Sequence, residues 1–386
     1  MNNIIYLDNA ATTAVDPQVF AKMEPYLNFH YGNPSSSYGI GRQSRMAVEG
    51  ARKSVANLLG VKPTSIYFTS GGTESNNTAI ASAIYDLNCT HIITSPTEHH
   101  AVLHAVEHYC KRAGISSSFV KINSYGEVDL VDLEQQLAQY EDSGSKCLVS
   151  LMHANNEIGS LLDISHVGEL CQKYGAIFHS DCVQTIGHYP LDLEHCGVHF
   201  ASASGHKFHG PKGTGILYVH PDIKFSSLIL GGGQERGKRA GTENVHGIIG
   251  FSAALEMAME SHSADESYIR QLNVSMRQGL VSLFPGTNFN STENGLYTVL
   301  SVNFPKGTNT DILLAMLDRD GIYASGGSAC SSGESGGSHV ITALNKEIAG
   351  ATIRFSFSKL TKVEDIEAAL ACLSKILVNQ TKSVFV

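Results

Sequence analysis

Five short runs limit what this chain can fold into: Ile66 to Thr69, His91 to Ser95, Phe119 to Ile122, Cys147 to Met152 and Ala176 to Phe178. Each is nearly continuously apolar, which is how parallel strands buried on both faces read. A helical pattern from Gly41 to Leu59 precedes them, and strand and helix signals then alternate for about 150 residues. That rhythm predicts βα units with right-handed crossovers. The expected fold class is α/β, with a large domain whose mostly parallel sheet is flanked by helices.

Beyond about residue 255 the rhythm changes. Ile269, Leu272, Met276, Leu280 and Leu283 recur at helical spacing and predict a long amphipathic helix leading into a smaller α+β domain. Tyr297 to Phe304 reads as a strand, and Thr361-Lys362-Val363-Glu364 as a capping box opening the last helix. Thr352 to Phe357 alternates, placing Ile353, Phe355 and Phe357 on one face and Thr352, Arg354 and Ser356 on the other. The expected division is 15–255 for the large domain and 256–386, joined by 1–14, for the small one, with a mobile loop at 324–338.

The 386 residues and 42% hydrophobic content suffice for a large core. A net charge of -9 with interspersed signs, and no basic run, argues against a nucleic-acid partner. Met1 to Asp8 lacks a basic segment followed by an apolar block, and no stretch approaches the roughly 20 apolar residues of a membrane span. The expectation is a cytoplasmic protein that does not engage a membrane. The eight cysteines include no CxxC pair, which argues against a disulfide framework. Cys330 differs from the others: it stands in the Gly/Ser-rich run Ser325 to Ser338, either a plain linker thiol or a reactive one.

In an open α/β sheet, ligands sit beyond the carboxyl ends of the strands, and here the polar residues cluster at those ends. The Ile66 strand runs into Ser70-Gly71-Gly72-Thr73-Glu74, glycines before a helix start that offers backbone N–H groups to a phosphate. The next strands lead to Glu98-His99, to Asn155-Asn156-Glu157 and to Asp181-Cys182-Val183-Gln184. Lys207, in Ser204-Gly205-His206-Lys207, lies on a turn between the strand signals Phe200 to Ala203 and Gly215 to Val219. A desolvated amine there is suited to forming an imine with a carbonyl. Gly205 to Lys212 is no P-loop, because Pro211 separates Gly210 from Lys212.

Singly, Gly71-Gly72 reads as a tight turn, His99 as a packed histidine and Asp181 as a helix cap. Together they suit pyridoxal 5'-phosphate: lysine for the aldehyde, carboxylate for the pyridine nitrogen, amide for the ring edge, imidazole over the ring, helix terminus for the phosphate.

Tyr6-Leu7-Asp8-Asn9-Ala10-Ala11-Thr12-Thr13, Phe68 to Asn77, Glu98-His99, Asn155 to Gly159, Ser204 to Lys207 and Ser328-Ala329-Cys330-Ser331-Ser332 resemble the cysteine desulfurases of the NifS/IscS type. These belong to the class V aminotransferase group of fold-type I pyridoxal phosphate enzymes, and the resemblance runs from about residue 4 to about 375. It implies conversion of L-cysteine to L-alanine, with sulfur passed to Cys330 as a persulfide. Lys207 is then the Schiff-base lysine, Asp181 the partner of the pyridine nitrogen, and His99 the stacking and proton-relaying imidazole. Gly72, Thr73, Ser204 and His206 hold the phosphate, Asn156 and Gln184 the ring edge, and Arg354, with Asn156, the substrate carboxylate. Thr242 reaches the phosphate of a neighbouring subunit, which implies a homodimer. Sulfur acceptors such as an iron-sulfur scaffold are implied partners, and the only metal role is a transient iron-sulfur ligand at Cys330.

Three features depart from the pattern. Glu334-Ser335-Gly336-Gly337 replaces the usual Leu-Glu-Pro element, Leu344 to Arg354 is a few residues short, and Cys182 stands where alanine is common. A selenocysteine lyase and a class V aminotransferase are the alternative activities. A metal-binding scaffold built on His179, Asp181, His188, His195, Cys196 and His199 lacks CxxC or HExxH spacing.

Overall fold

A computed structural model describes residues 4–142, 145–326, 337–346 and 350–383; Cys330 lies outside the described residues. In chain order the strands are β1 (Ile5–Tyr6), β2 (Ile66–Thr69), β3 (His91–Thr94), β4 (Ser116–Phe119), β5 (Cys147–Ser150), β6 (Ile177–Asp181), β7 (Phe200–Ser204), β8 (Gly215–Val219), β9 (Asn288–Phe289), β10 (Val299–Lys306), β11 (Ile322–Tyr323) and β12 (Gly350–Ser356). Strands β2 to β8 form one sheet in the order β2-β8-β7-β6-β5-β3-β4. The pairs from β7 to β4 are parallel, and β8 runs antiparallel to both its neighbours.

The apolar runs behave as strands because both of their faces are covered. Ile93, Val149, Phe178, Ala201 and Ile216 face one core, while their neighbours Ile92, Leu148, Ile177, Phe200 and Leu217 face another. Period-two geometry converts a continuous apolar run into contacts on both sides of the sheet.

Two strands are displaced from their expected positions. The apolar run at Phe119 to Ile122 is not the strand; the serine-rich β4 just before it is. It sits at the sheet edge, pairs only with β3, and is held by His91, whose ring nitrogens lie 2.7 and 2.8 Å from the Ser116 and Ser118 hydroxyls. An edge strand with a solvated face needs no apolar residues. Likewise, β6 continues past Phe178 through His179, Ser180 and Asp181, all buried. Two of these side chains are tolerated inside because they are hydrogen-bonded, His179 to Ser150 and Asn76, and Asp181 to Asn76 and Val183 N.

The predicted long helix is present as Val245–Leu283, a single run of 39 residues. Its Ile248, Phe251, Ala253, Ala254 and Leu255 pack on the large sheet's core, and its Ile269, Leu272, Met276 and Leu280 enter a second core. The expected boundary at 255 therefore falls inside a helix. Leu283 lies past the buried stripe and is 40% exposed. The second core also takes Ile5 and Leu7, and covers the antiparallel sheet β12-β10-β9.

The last helix, Val363–Ser383, opens one residue later than a box at Thr361 and Glu364 would place it. Its reciprocal side-chain contact is Asp365 accepting from the Lys362 N–H at 2.9 Å, while the Thr361 hydroxyl accepts from Ser358 N. Among the described residues, seven cysteines are free and buried, and no helix is long and apolar enough to cross a membrane.

Candidate active site

The carboxyl ends of the parallel strands open onto one cavity of about 270 Å³. Gly72, Thr73, His99, Asn156, Asp181, Gln184, Ser204, His206, Lys207 and Arg354 all line it. Thr242, expected to serve a neighbouring subunit's site, is exposed just before the helix Val245–Leu283, and the expected role of Cys330 lies outside the described residues.

Strand β2 ends at Thr69, and two residues on stands Gly71, whose φ of 148° suits glycine, with the helix Gly72–Tyr85 beginning at once. A Cβ on Gly72 would lie 2.5 Å from Cγ2 of Val183, so only a bare backbone lets the helix start come this close to the β6 end. First-turn N–H groups have no partner within their helix and carry the positive end of its dipole. They face the cavity together with Ser204 and His206.

Asp181 ends β6, 6% exposed, with Oδ1 accepting from Val183 N at 3.0 Å and Oδ2 from the Asn76 amide at 2.6 Å. The Asn76 oxygen lies 3.2 Å from Nε2 of His179, and Nδ1 of His179 lies 2.9 Å from the Ser150 hydroxyl. Burial pushes His179 down to about 4, so its ring is neutral. One orientation satisfies every member: Ser150 donates to His179, His179 to Asn76, and Asn76 to Asp181. Asn76 is a site residue that the sequence reading missed.

The 3-10 turn Gly205–Lys207 follows β7 and carries the lysine into the cavity. Its Nζ donates to the carbonyls of Ala10 and Ala11, at 2.7 and 2.9 Å. His188 Nε2 holds the Lys207 carbonyl at 3.0 Å. The N-terminal segment is thus part of the site: Gln184 also donates to Ala10 O, and Thr12 Oγ1 lies 3.1 Å from His206 Nδ1. Burial, aided by Lys207 and Lys212, pushes His206 down to about 4, so it meets an anion as a neutral hydrogen-bonding ring.

His99 caps the helix His100–Ala113, its Nδ1 accepting from Ala101 N at 3.1 Å. In the neutral ring this leaves the proton on Nε2. Burial lowers its pKa, and the Lys207 charge pushes the same way, against the pull of Asp181. His100 extends the imidazole lining, stacked on His339 at 4.4 Å and on His104 at 4.8 Å. Neighbouring Glu98 is fully buried and held well above the usual carboxylate range by burial; its Oε1 accepts from Met152 N at 2.6 Å.

The adjacent asparagines divide their work. Asn155 is bound to backbone: its amide donates to Thr97 O, and its oxygen accepts from Glu157 N and Ile158 N. Asn156 is the one that reaches the cavity. Arg354, on the strand face that alternation marks as polar, is 1% exposed rather than solvated. Its Nη2 lies 2.6 Å from Asp8 Oδ1 and its Nη1 2.8 Å from Asn156 O.

The crowded His/Cys set disperses in space. His179 serves the Asn76 relay, His188 the Lys207 carbonyl, His195 pairs with Asp192 at the surface, and His199 accepts from Phe178 N. By contrast, an amine, a buried carboxylate and a glycine-lined helix start on a single cavity fit pyridoxal 5'-phosphate. The Gly72 cradle, which a methyl group would fill, is the most demanding part of that fit.

The family model for class-V aminotransferases matches residues 5–369. The cysteine desulfurase IscS of Dictyoglomus turgidum is 40% identical over 382 residues, spanning 98% of this chain and 95% of that protein. Cysteine desulfurase 2 of Trichormus variabilis is 41% identical over 379 residues, spanning 97% and 93%. Among solved structures, a NifS-like protein superposes with a TM-score of 0.90 at 36% identity, covering 97% of this chain and 100% of that one. A NifS-like protein from Rickettsia africae gives 0.85 at 33%, covering 97% and 99%.

Proposed function

The chain belongs to the class-V aminotransferase family, and on that premise we propose that it is a pyridoxal phosphate-dependent cysteine desulfurase, converting L-cysteine to L-alanine and passing the sulfur to Cys330. The observation that carries this reading is the convergence of Lys207, Asp181 and Arg354 on one cavity at the strand ends. When bound, pyridoxal 5'-phosphate supplies a carbonyl carbon for amine capture and a ring that withdraws electrons from the substrate's α carbon.

The side chains divide the remaining work. Gly72, Thr73, Ser204 and His206 would hold the phosphate at the helix start, and Asn156 and Gln184 would hold the ring edge. Asp181, kept in place by Asn76, would stabilise positive charge on the ring nitrogen. Arg354 would grip the substrate carboxylate through its planar fork. Lys207 would take the α proton as general base, and His99 would stack on the ring and carry protons. The Cys330 thiolate attacks the substrate sulfur; the C–S bond breaks, an S–S bond forms, and the carbon that gains a proton leaves as the methyl group of alanine. Atoms balance: cysteine plus a thiol gives alanine plus a persulfide.

The same reading includes a homodimer in which Thr242 completes the partner copy's phosphate site. Phe29, Tyr31, Met46 and Leu230, 74 to 85% exposed, are apolar surface that a second copy would cover. It also includes a cytoplasmic setting, where thiols stay reduced, and delivery of sulfur to acceptor proteins such as an iron-sulfur scaffold, with Cys330 as a transient iron-sulfur ligand.

The test is to supply the reconstituted protein with L-cysteine and a reducing thiol, and to quantify alanine and sulfide. Equal amounts are expected. Lys207→Ala is expected to lose the yellow absorbance, and Cys330→Ala to keep it while producing no sulfide. A keto acid in place of alanine, or undiminished sulfide from Cys330→Ala, rules the reading out.

A further inference from the structure

We infer that Asp8 is a positioning residue for substrate binding: it sets the plane of the Arg354 guanidinium, and through it the affinity for the substrate's α-carboxylate. The inference rests on the role of Arg354 proposed above.

Arg354 is buried at 1% side-chain exposure and Asp8 is 18% exposed, with Asp8 Oδ1 2.6 Å from Nη2. Nη1 donates to the Asn156 carbonyl at 2.8 Å. A guanidinium is planar, so holding both terminal nitrogens fixes the direction in which its charge meets the cavity. The strand beneath is equally constrained, because Arg354 exchanges both backbone bonds with Ser325.

Asp8 is itself held from both sides. Ser356 N donates to Leu7 O at 2.8 Å, Asn9 N donates to Ser356 O, and the Asn9 amide donates to the same carbonyl at 2.9 Å. The register that lays residues 7 to 9 along β12 thereby carries Asp8 to Arg354 across a separation of 346 residues. The next residues in the run, Ala10 and Ala11, are those whose carbonyls receive Lys207 Nζ. One short segment therefore registers the amine and the guanidinium against each other, at the two points where an α-amino acid must be held.

The pairing also sets the charge balance. An isolated buried guanidinium is costly, and a carboxylate at 2.6 Å offsets that cost. If Asp8 instead competed with substrate for Arg354, removing it would tighten binding. The direction of the change in KM therefore separates the two roles.

The experiment uses the reconstituted holoenzyme and four variants: Asp8→Ala, Asp8→Asn, Arg354→Gln, and Asp8→Ala with Arg354→Gln. Asp8→Ala is expected to raise KM for L-cysteine about tenfold with kcat within about twofold of the parent. It should also weaken L-alanine binding, measured by calorimetry without turnover, by a similar factor. Asp8→Asn keeps an acceptor oxygen and is expected to fall in between; it carries the test if Asp8→Ala does not fold. In the Arg354→Gln background, Asp8→Ala should add less than about twofold, because its effect passes through the missing guanidinium. An unchanged or lowered KM in Asp8→Ala, or equal effects in both backgrounds, overturns the inference. Unchanged KM in Arg354→Gln alone overturns the assignment of Arg354 instead.

Discussion

Asn76 donates its side-chain amide to Oδ2 of Asp181 at 2.6 Å, and both residues are buried, at 1% and 6% exposure. Because the other end of the same amide accepts from neutral His179, Asp181 is held by a chain of dipoles all oriented one way.

Asn76→Ala leaves Asp181 Oδ2 short of a partner in the interior, at a stability loss of about 1–3 kcal/mol, while His179 Nε2 keeps the Ser202 hydroxyl at 3.3 Å. Cofactor affinity is expected to fall about tenfold, in line with the loss of a supporting hydrogen bond to a charged group. Asn76→Asp should be worse, since it sets two carboxyl groups against each other and forces one to hold a proton. Absorbance titration of the unloaded variants with pyridoxal 5'-phosphate checks the order. Affinity for Asn76→Asp at or above that of Asn76→Ala would contradict it.

The Gly72 position gives a prediction with a built-in rescue. A methyl group there meets Cγ2 of Val183 at 2.5 Å, and the branched valine has little rotamer freedom to move aside. Gly72→Ala is expected to weaken cofactor binding about tenfold or more through displacement of the helix start. Val183→Ala removes the clashing methyl, so the double variant should recover most of the loss. Equal affinities for the single and double variants would mean that steric contact is not the cause.

Stability should depend on pH with a sign set by buried imidazoles. Burial pushes His153, His179 and His188 each from 6.5 down to about 4. Between those values the unfolded chain binds protons that the fold does not, so stability is lost as the pH falls from 6.5 towards 4. Glu98 works in the opposite sense: its folded pKa is raised above 4.5, so its contribution is full below 4.5 and lost as the pH rises through the folded value. With His91, His199 and His206 also lowered to about 4, the imidazoles outweigh the one carboxyl and should make Tm rise by several degrees from pH 4.5 to 6.5. Glu98→Gln, which keeps an acceptor for Met152 N, should stabilise more at pH 8 than at pH 5. Melting curves across this range test both statements, and a flat Tm from 4.5 to 6.5 would count against the first.

Much of the site was legible because its parts sit at the ends of locally recognisable strands. Gly71-Gly72, His99, Asn156, Asp181 and Lys207 each follow an apolar run, and parallel βα order brings such ends together. Strand β4 was misplaced because an edge position relaxes the demand for apolar residues, and no local pattern announces an edge. Asn76 went unassigned because one polar residue on a helix carries no sign of the carboxylate it will meet.

Local chemistry, written in residue order, determined the layered α/β fold, the βα rhythm and the catalytic residue types, since periodicity and turn residues act over a few positions. Only the folded chain decided that Ala10 and Ala11 would turn their carbonyls on Lys207 and that Asp8 would grip Arg354. Backbone carbonyls are identical at every residue. Which of them faces an amine 196 positions away is settled by sheet register and core packing, not by any side-chain signal in the string.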